Sequence, residues 1–352
     1  MTKKYNLAII GYGGMGGYHA HHILKDHNRI QVTGTFDILE ERQKAAEGEG
    51  YKAYESLSAL LSDETIDIVL IATPNDVHKE IAIQALRAKK HVVCEKPVTI
   101  FSNDFEEILA VANETNRHFM VHQNRRWDED FLTMKKIYDA NLIGDVFHIE
   151  SRVHGANGIP GDWRHLKQYG GGMVLDWGVH LLDQIAFMVK SKITSVYANL
   201  SYILGDEVDD GFQTILTFEN GVTALVEVGT TNFIQLPRWY AKGIEGTAVI
   251  NDWNINGKLV KQNFDKEYAA PKPIKAGQGL TKTMAPPSEE ATTSYDLPKE
   301  VDHMESFYDN FLSVVEGKSA PIVQNEEVLR ILKLMETIFE SAKKNEVIKV
   351  SL

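Results

Sequence analysis

The stretch Leu7-Ala8-Ile9-Ile10-Gly11-Tyr12-Gly13-Gly14-Met15-Gly16 determines how the first half of this 352-residue chain is interpreted. Four apolar residues of strand character lead directly into the pattern G-x-G-x-x-G, and a helical pattern follows over residues 16–26. After a strand, these glycines allow a tight turn, a close approach of the backbone to a pyrophosphate and close helix packing. The helix N-terminus offers free N–H groups to the phosphates. We therefore predict a dinucleotide-binding turn, whose cofactor contacts are Gly11, Gly13, Gly14, Met15 and Gly16.

An acidic residue follows at the position where the ribose of such a cofactor would bind. Asp37 ends the second predicted strand, about 20 residues beyond Gly16, as the pattern requires. Its carboxylate can accept both ribose hydroxyls and would repel a 2′-phosphate. NAD is therefore favoured over NADP as the cofactor. Arg42, one helical turn further along, keeps NADP as the alternative.

Strands and helices alternate over residues 4–120. The predicted strands are almost wholly apolar, which is expected when helices cover both faces of a sheet. The predicted strands span residues 5–10, 30–36, 68–72, 91–94 and 118–121. The helical patterns span residues 16–26, 40–47, 56–61, 77–88 and 102–113. Alternation at this spacing predicts an α/β fold in which a doubly wound parallel sheet, a Rossmann domain, occupies residues 1–124.

The pattern changes in the second half of the chain. A helix at 130–140 is followed by strands at 145–154, 193–204, 211–218 and 222–229, in which apolar and polar residues alternate. Asn220-Gly221 between two of these strands is a strong signal for a tight hairpin. Residues 125–352 are therefore predicted to form an α/β domain with an open, mainly antiparallel sheet. The proline-rich stretch 262–300 is predicted to be an irregular excursion before closing helices at 306–315 and 326–343.

Polar residues follow two of the predicted parallel strands. Thr73, Pro74, Asn75 and His78 close one strand, and Glu95-Lys96-Pro97 closes the next. Because ligands bind at the carboxyl ends of parallel strands, Lys96 is placed to reach a substrate hydroxyl beside the nicotinamide. The alternative is a solvated surface lysine, which is the usual fate of this residue type.

A third cluster lies on the helical pattern that follows Gly170-Gly171-Gly172. At 100° per residue, Asp176, His180 and Asp183 share one face, opposite an apolar face. An imidazole with a carboxylate four residues away is suited to general-base catalysis. The alternative is a solvent-facing i, i+4 pair.

Composition narrows the class of protein. A net charge of −12 argues against nucleic-acid binding through a broad basic face, and the apolar stretches are too short to span a membrane. A single cysteine, Cys94, excludes an intramolecular disulfide and fits a reducing cytoplasm. His19, His21 and His22 are crowded on the first helix without a shared face, so we predict packing roles and no metal site.

Together these motifs resemble the Gfo/Idh/MocA family, named after glucose–fructose oxidoreductase, inositol dehydrogenase and a rhizopine catabolism protein. The resemblance rests on the glycine turn, Ala72-Thr73-Pro74-Asn75 with His78, Glu95-Lys96-Pro97, and Asp176 with His180, in the family's order. The stretch Val121–Trp127 looks especially like inositol and related polyol dehydrogenases. The resemblance covers essentially the whole chain.

The resemblance implies roles for individual residues. Lys96 would polarise the reacting oxygen, His180 would act as acid or base, and Asp176 would orient the substrate or His180. The further contacts that it implies are with the cofactor, at Thr73, Pro74, Asn75, His78, Glu95, Lys96 and Asn124, and with the substrate, at His154, Asn157, Trp163 and Arg164. It also implies a homodimer or homotetramer formed through the C-terminal sheet.

The leading functional hypothesis is NAD-dependent transfer of a hydride to or from a secondary alcohol of a sugar, cyclitol or related polyol. One alternative is an NAD-retaining glycosidase that acts by transient oxidation and elimination, for which Tyr169 or Asp183 would supply an extra acid or base. Another is a non-catalytic NAD-sensing regulator. The complete set of Lys96, Asp176 and His180 argues against the regulator, because a sensor needs no proton relay.

Overall fold

Two β-sheets organise the molecule, one in each half of the sequence. The computed structural model describes residues 3–264, 272–287 and 290–352. The strands of the first sheet are β1 (Tyr5–Ile10), β2 (Ile30–Phe36), β3 (Lys52–Ala53), β4 (Ile68–Ile71), β5 (His91–Cys94) and β6 (Phe119–Val121). The next strands are β7 (Val146–His154), β8 (Ile193–Ser201), β9 (Gly211–Phe218), β10 (Thr223–Gly229), β11 (Trp239–Gly243), β12 (Gly246–Ile250), β13 (Gly257–Gln262), β14 (Ile274–Ala276), β15 (Gly279–Thr281), β16 (Thr292–Tyr295) and β17 (Ile348–Lys349).

Nine α-helices lie within the described residues. They are α1 (Gly14–Tyr18), α2 (Glu40–Gly48), α3 (Leu57–Ser62), α4 (His78–Arg87), α5 (Ser102–Thr115), α6 (Glu129–Asp139), α7 (Val179–Val189), α8 (Phe307–Val315) and α9 (Asn325–Lys344). Short 3₁₀ turns occupy Asn75–Val77, Asn124–Trp127, Trp163–His165 and Lys167–Tyr169. No helix in the described part of the chain is long and apolar enough to cross a membrane.

The first sheet is the predicted doubly wound parallel sheet. Its order is β3-β2-β1-β4-β5-β6, and every pair is parallel. All four residues of β4 are fully buried, because helices pack on both faces of the sheet. Cys94 at the end of β5 is also fully buried, and this burial raises the pKa of its thiol well above its ordinary value. The prediction for this half of the chain is confirmed.

The second sheet is mixed and mostly antiparallel, as predicted. Its order is β16-β13-β12-β11-β7-β10-β9-β8-β17. Of the pairs between the described strands of this second sheet, only β7–β10 is parallel. The predicted Asn-Gly hairpin joins β9 and β10, with Gly221 at a φ of +89°. The strands β11, β12 and β13 were not predicted. They are short, and Gly243 and Gly246 interrupt the apolar alternation between β11 and β12.

Two predicted helices contain π turns. The first helix is regular only over Gly14–Tyr18 and continues as a π turn over His19–Ile23. The helix after the triple glycine begins with a π turn over Val174–Gly178 before α7. A π turn closes on residue i+5, so it adds a residue to the turn and rotates the following side chains away from a 100° spacing. The two carboxylates of the predicted polar face have different partners, because Asp176 contacts Lys96 and Asp183 contacts Arg126.

The stretch 262–300 is more regular than predicted where it is described. A small exposed hairpin, β14–β15, stands apart from both large sheets. Strand β16 pairs with β13 and extends the second sheet, because Thr292-Thr293-Ser294-Tyr295 favours extended backbone. The predicted irregular path over residues 265–271 and 288–289 lies outside the described residues.

The two halves are held together by the C-terminal helix and by a buried arginine. Helix α9 packs against β8 of the second sheet and also against α5 and β6 of the first. Arg126, in the turn where the two predicted domains meet, donates two hydrogen bonds to Asp183 of α7, at 2.8 and 2.6 Å. It donates another to Glu327 of α9 at 2.7 Å. These buried contacts fix α7, and with it the loop before it, against the first domain.

Replacing Arg126 with Met is expected to destabilise the protein by about 3–5 kcal/mol, because Asp183 is then left buried and unpaired. Urea denaturation followed by circular dichroism measures this change. The double variant Arg126→Met/Asp183→Leu should recover much of the loss, whereas the exposed control Arg87→Met should stay within about 0.5 kcal/mol of the wild type. Equal losses in the single and double variants would contradict the assignment.

Candidate active site

The glycine turn after β1 is built as its sequence predicts. Gly11 has a φ of +91°, and a Cβ there would lie 2.6 Å from the carbonyl oxygen of Ala72 at the end of β4. A Cβ on Gly16 would lie 2.1 Å from the carbonyl oxygen of Gly11, so the helix can pack here only with glycine. Gly14 has open space around it. The turn thus leaves its backbone accessible from outside the sheet, which suits close approach of a pyrophosphate.

Asp37 is fixed at the edge of this turn. Its carboxylate accepts the main-chain N–H groups of Tyr12 at 2.8 Å and Leu39 at 2.9 Å. Arg42 lies 3.5 Å from the same carboxylate, and a Cβ on Gly13 would lie 3.0 Å from its guanidinium. Arg42, the residue that makes NADP an alternative cofactor, therefore lies beside both the glycine turn and Asp37.

The loop after β4 holds its polar residues in different ways. The Thr73 hydroxyl is buried and has no hydrogen-bond partner among the described residues. Asn75 is buried and donates to the carbonyl of Gly170 at 3.0 Å, which ties this loop to the second half of the chain. His78 is fully buried, with its nitrogens near the carbonyls of Thr73 (2.9 Å) and Pro97 (3.1 Å). Among these residues, the Thr73 hydroxyl is thus the polar group left for a ligand, and His78 braces two loops.

Lys96 contacts the second half of the chain directly. Its Nζ donates to Asp176 Oδ1 at 3.2 Å and to the carbonyl of Asp176 at 3.1 Å. Asp176 also lies 3.5 Å from Nε of Arg164. Burial alone would raise the pKa of Asp176, but Lys96 and Arg164 hold it below its ordinary value. Asp176 is therefore an anion that orients the Lys96 ammonium.

His180 lies one turn beyond Asp176 in an apolar and positively charged setting. Burial lowers its pKa well below the ordinary value, and the charges of Lys96 and Arg125 lower it further. Its Nδ1 is buried without a hydrogen-bond partner in the described part of the chain. No contact joins it to Asp176, whose carboxylate faces Lys96. His180 is thus a neutral imidazole that can accept a proton, and Lys96 is close enough to lower its pKa.

A cleft of about 520 Å³ opens beside this pair. Arg125 stacks on the rings of Trp177 (4.3 Å) and Trp253 (5.4 Å), and both rings line the cleft. Half of the Trp253 side chain is exposed. The other lining residues are Val153, His154, Gly155, Ala156, Asn157, Gly158, Pro160, Met173, Asp176, Val228, Gly229 and Thr230. Aromatic rings beside polar groups suit a ring-shaped, hydroxyl-rich ligand.

Of the four residues predicted to contact a substrate, two line the cleft and two do not. Asn157 is exposed and lines the cleft. His154 also lines it, but its Nε2 lies 3.6 Å from Glu227 on the sheet. Arg164 pairs with Asp162 at 2.6 Å and stacks on Trp163. Neither Trp163 nor Arg164 lines the cleft. Arg164 approaches the site through Asp176 instead.

Three further residues predicted to belong to the site, Glu95, Asp183 and Asn124, do not line the cleft. Glu95 is buried and bonded to two histidines, so its carboxylate does not face the cleft. Asp183 is paired with Arg126, away from Lys96. Asn124 begins the short turn that carries Arg125, and its N–H donates to the carbonyl of His122 at 2.8 Å.

Sequence reasoning missed the aromatic rim. Arg125 stands in the Asn124–Trp127 turn, Trp177 in the π turn, and Trp253 in the loop between β12 and β13. The stretch around Arg125 was noticed only through its resemblance to polyol dehydrogenases, and no spacing rule connects it to Trp253. An exposed tryptophan in a polar turn, Asp252-Trp253-Asn254, was the available signal.

Comparison with known proteins agrees with this geometry. A model of the oxidoreductase family with an NAD-binding Rossmann fold, GFO_IDH_MocA, matches residues 5–123, and the GFO/IDH/MocA C-terminal domain matches residues 131–249. The chain belongs to the Gfo/Idh/MocA family. A solved NAD-binding protein from Listeria innocua is 61% identical, with a TM-score of 0.97 over 99% of this chain and 100% of that one. The predicted family is confirmed.

More distant relatives in the family include an oxidoreductase and an enzyme whose name gives its substrate. An oxidoreductase of Schizosaccharomyces pombe is 28% identical over 84% of this chain and 85% of its own length. The Bacillus subtilis scyllo-inositol 2-dehydrogenase (NADP(+)) IolW is 24% identical over 97% of this chain and 95% of its own. These matches extend across both halves, so the whole chain shares the family's two-part organisation.

The start of the π turn at Val174 is held by the side chain of Asp209, which can carry a proton. Asp209 accepts the N–H of Val174 at 2.8 Å, and its burial raises its pKa to about 7. The folded protein therefore retains a proton that the unfolded chain releases near pH 3.8. Folding stability consequently falls as the pH rises through this interval.

Asp209→Asn should remove this dependence, because the amide keeps an acceptor for Val174 but carries no charge. Relative to the wild type, the variant should gain on the order of 1–3 kcal/mol between pH 4.5 and pH 8. Urea denaturation at both pH values measures the difference. The exposed control Asp145→Asn should follow the wild type. Parallel profiles for Asp209→Asn and the wild type would refute the assigned proton.

Proposed function

We propose that this protein transfers a hydride between the nicotinamide of NAD and a secondary alcohol or ketone of a sugar, cyclitol or related polyol. The observation that carries the proposal is the 3.2 Å contact of Lys96 with Asp176, beside the neutral imidazole of His180. These groups stand at the carboxyl edge of the parallel sheet, where doubly wound folds bind their ligands.

The glycine turn fits a dinucleotide. Gly11 and Gly16 keep the backbone clear for a pyrophosphate, and the Thr73 hydroxyl has no other described partner. Asp37, which is fixed beside the turn, would accept the ribose hydroxyls. Bound NAD supplies the hydride acceptor for an alcohol or, when reduced, the donor for a ketone. Asp37 favours NAD, and the neighbouring Arg42 is the group through which NADP would be accepted.

The side chains of this chain divide the proton chemistry. Lys96 donates a hydrogen bond to the reacting oxygen and stabilises the negative charge that develops there. His180, neutral because of its burial, accepts the hydroxyl proton during oxidation and returns it during reduction. Asp176 orients the Lys96 ammonium. The rim of Arg125, Trp177 and Trp253 binds the ring of the substrate.

The polyol class is supported by the cleft and by the relative that acts on scyllo-inositol. A ring with several hydroxyls matches aromatic faces next to Asn157 and the main-chain groups of the loop Gly155–Gly158. The stereochemistry of the substrate depends on many loop positions together.

Lys96→Ala and His180→Ala should each lower kcat by about 10²–10⁴-fold while NAD affinity stays within a few-fold of the wild type. Both lose proton handling but leave the glycine turn intact. Turnover is measured by NADH absorbance in a screen of inositols, aldoses, sugar acids and glycosides, and NAD binding by calorimetry. The exposed controls Lys4→Ala and His22→Ala should behave as the wild type. Undiminished turnover in both site variants would remove the proton-handling assignment.

Asp37→Ser should shift cofactor preference towards NADP by about 10–100-fold in the ratio of kcat/KM values. The substitution removes the charge that repels a 2′-phosphate and leaves Arg42 available to bind it. The double variant Asp37→Ser/Arg42→Ala serves as the control and should lose the gain for NADP. An unchanged ratio in Asp37→Ser would place the ribose elsewhere.

The glycosidase alternative has weaker support. It needs an additional acid or base, and Asp183, one of two candidates, is committed to Arg126. Tyr169, the other, lies in the short turn before the triple glycine. Release of an alcohol from a chromogenic glycoside without net NADH formation would select that alternative in the same screen.

We also infer that the protein functions as a homodimer or homotetramer in the cytoplasm. Ile215 and Leu225 lie opposite each other on the outward side of β9 and β10, and Ile215 is 48% exposed. Exposed apolar side chains such as these favour contact with another copy of the chain. The single buried cysteine is compatible with a reducing compartment.

A further inference from the structure

A buried hydrogen-bonded chain adjoins Lys96 and is not used by the proposed reaction. The Tyr308 hydroxyl lies 2.8 Å from Nδ1 of His19, and Nε2 of His19 lies 2.8 Å from Oε1 of Glu95. The same Glu95 oxygen lies 2.9 Å from Nδ1 of His122. All four residues are at most 5% exposed. Such a polar group is retained in a core only when its members satisfy one another.

The direction of the hydrogen bonds follows from the charge of Glu95. Burial opposes its ionisation, but His122 and His19 hold its pKa well below the ordinary value, so it is an anion and only accepts. His19 therefore donates from Nε2, and His122 donates from Nδ1. Burial lowers the pKa of His19, so its Nδ1 is unprotonated and accepts the Tyr308 hydroxyl.

The remaining oxygen of Glu95 leads to the catalytic lysine. Oε2 accepts the main-chain N–H of Lys96 at 3.2 Å. The chain of contacts thus begins on α8 in the second half of the protein, passes through the π turn after α1, and ends on the backbone of Lys96. It joins three elements that are distant in sequence.

We propose that Tyr308, His19 and His122 are positioning residues, which fix an ionised Glu95 so that it holds the backbone of Lys96 and acts electrostatically on the proton-handling groups. The inference rests on the proposed function of Lys96. It assigns a role to His19 and to the π turn, whose i→i+5 bond from Leu24 N–H to the His19 carbonyl is 2.8 Å long.

A metal ion at the same place fits the distances less well. His19, Glu95 and His122 offer ligand atoms within 4.8 Å of one another. However, the 2.8 and 2.9 Å separations are those of hydrogen bonds, and a single Glu95 oxygen meets both imidazoles. Ligands about 2.0–2.2 Å from a tetrahedral ion would be farther apart. The geometry therefore favours shared protons.

The charge of Glu95 has a defined effect on the pH dependence of the site. His19, His122, Tyr308 and the Lys96 backbone surround Glu95, while Lys96, Arg125, Glu95 and His122 act on His180. The negative charge of Glu95 raises the pKa of His180 against the stronger lowering by burial and by Lys96. Loss of that charge should lower the pKa of any neighbouring cationic acid. The ascending limb of alcohol oxidation should then move to lower pH.

The test compares Glu95→Gln and Tyr308→Phe with the wild type. Glu95→Gln should lower kcat by about 10–100-fold, leave the substrate KM within about twofold, and shift the ascending limb towards acid. Tyr308→Phe, which removes one hydroxyl, should lower kcat by about three- to tenfold, with a smaller shift in the same direction. Thermal unfolding and NAD binding are measured on each variant. If Glu95→Gln does not fold, the comparison of Tyr308→Phe with the wild type decides the result.

The controls separate this inference from the proposed function. Tyr54→Phe removes a buried hydroxyl that donates to Asp63 at 2.7 Å, and Glu336→Gln alters a carboxylate that accepts from Ser102, both outside the site. Each should leave kcat and the pH profile unchanged. Loss of turnover in Lys96→Ala together with wild-type kcat and pH profiles in Glu95→Gln and Tyr308→Phe would overturn only the positioning role. Retained turnover in Lys96→Ala would overturn the proposed function.

Two further results would contradict the positioning role. An increase in KM with an unmoved pH limb would indicate a structural role alone. A stoichiometric metal ion in the purified protein, detected by elemental analysis and lost in the double variant His19→Ala/His122→Ala, would replace the shared protons with a metal site.

Discussion

An ammonium and a carboxylate from different halves of the chain meet at 3.2 Å, where Lys96 contacts Asp176. The contact requires the second domain to be held firmly against the carboxyl edge of the parallel sheet. Arg126, bonded to Asp183 and Glu327, supplies part of this attachment, and α9 supplies more by packing on both sheets. Charges that are buried in this way are costly unless they are paired, so the architecture around them has little freedom to shift.

The first half of the fold could be predicted because its local and global requirements coincide. The apolar strands around Ile68–Ile71 are buried on both faces, so composition alone distinguishes them from the helices. Gly11 and Gly16 occupy places where a Cβ would collide with backbone, and those collisions are what the glycine pattern encodes. The position of Lys96 just beyond β5 was predictable for the same reason, since strand ends in such sheets are the usual ligand positions.

The rest depended on geometry that sequence spacing does not contain. A π turn over Val174–Gly178 changes the spacing of the side chains that follow it, and Asp176 and Asp183 bind different partners, Lys96 and Arg126. No periodic pattern distinguishes a π turn from an α-helix. The rim formed by Arg125 and Trp253 joins positions far apart in the chain, and His19 joins Glu95 for the same reason. Such pairings depend on how the two sheets are placed together.

The deep burial of Cys94 has a practical consequence. The sole thiol of the chain lies at the end of β5 with no exposed surface, and its raised pKa keeps it in the unreactive protonated form. A cysteine introduced on the surface would therefore be the one site open to maleimide chemistry. A fluorophore attached in the turn between β12 and β13 would report ligand entry into the cleft, without any need to remove the native sulfur.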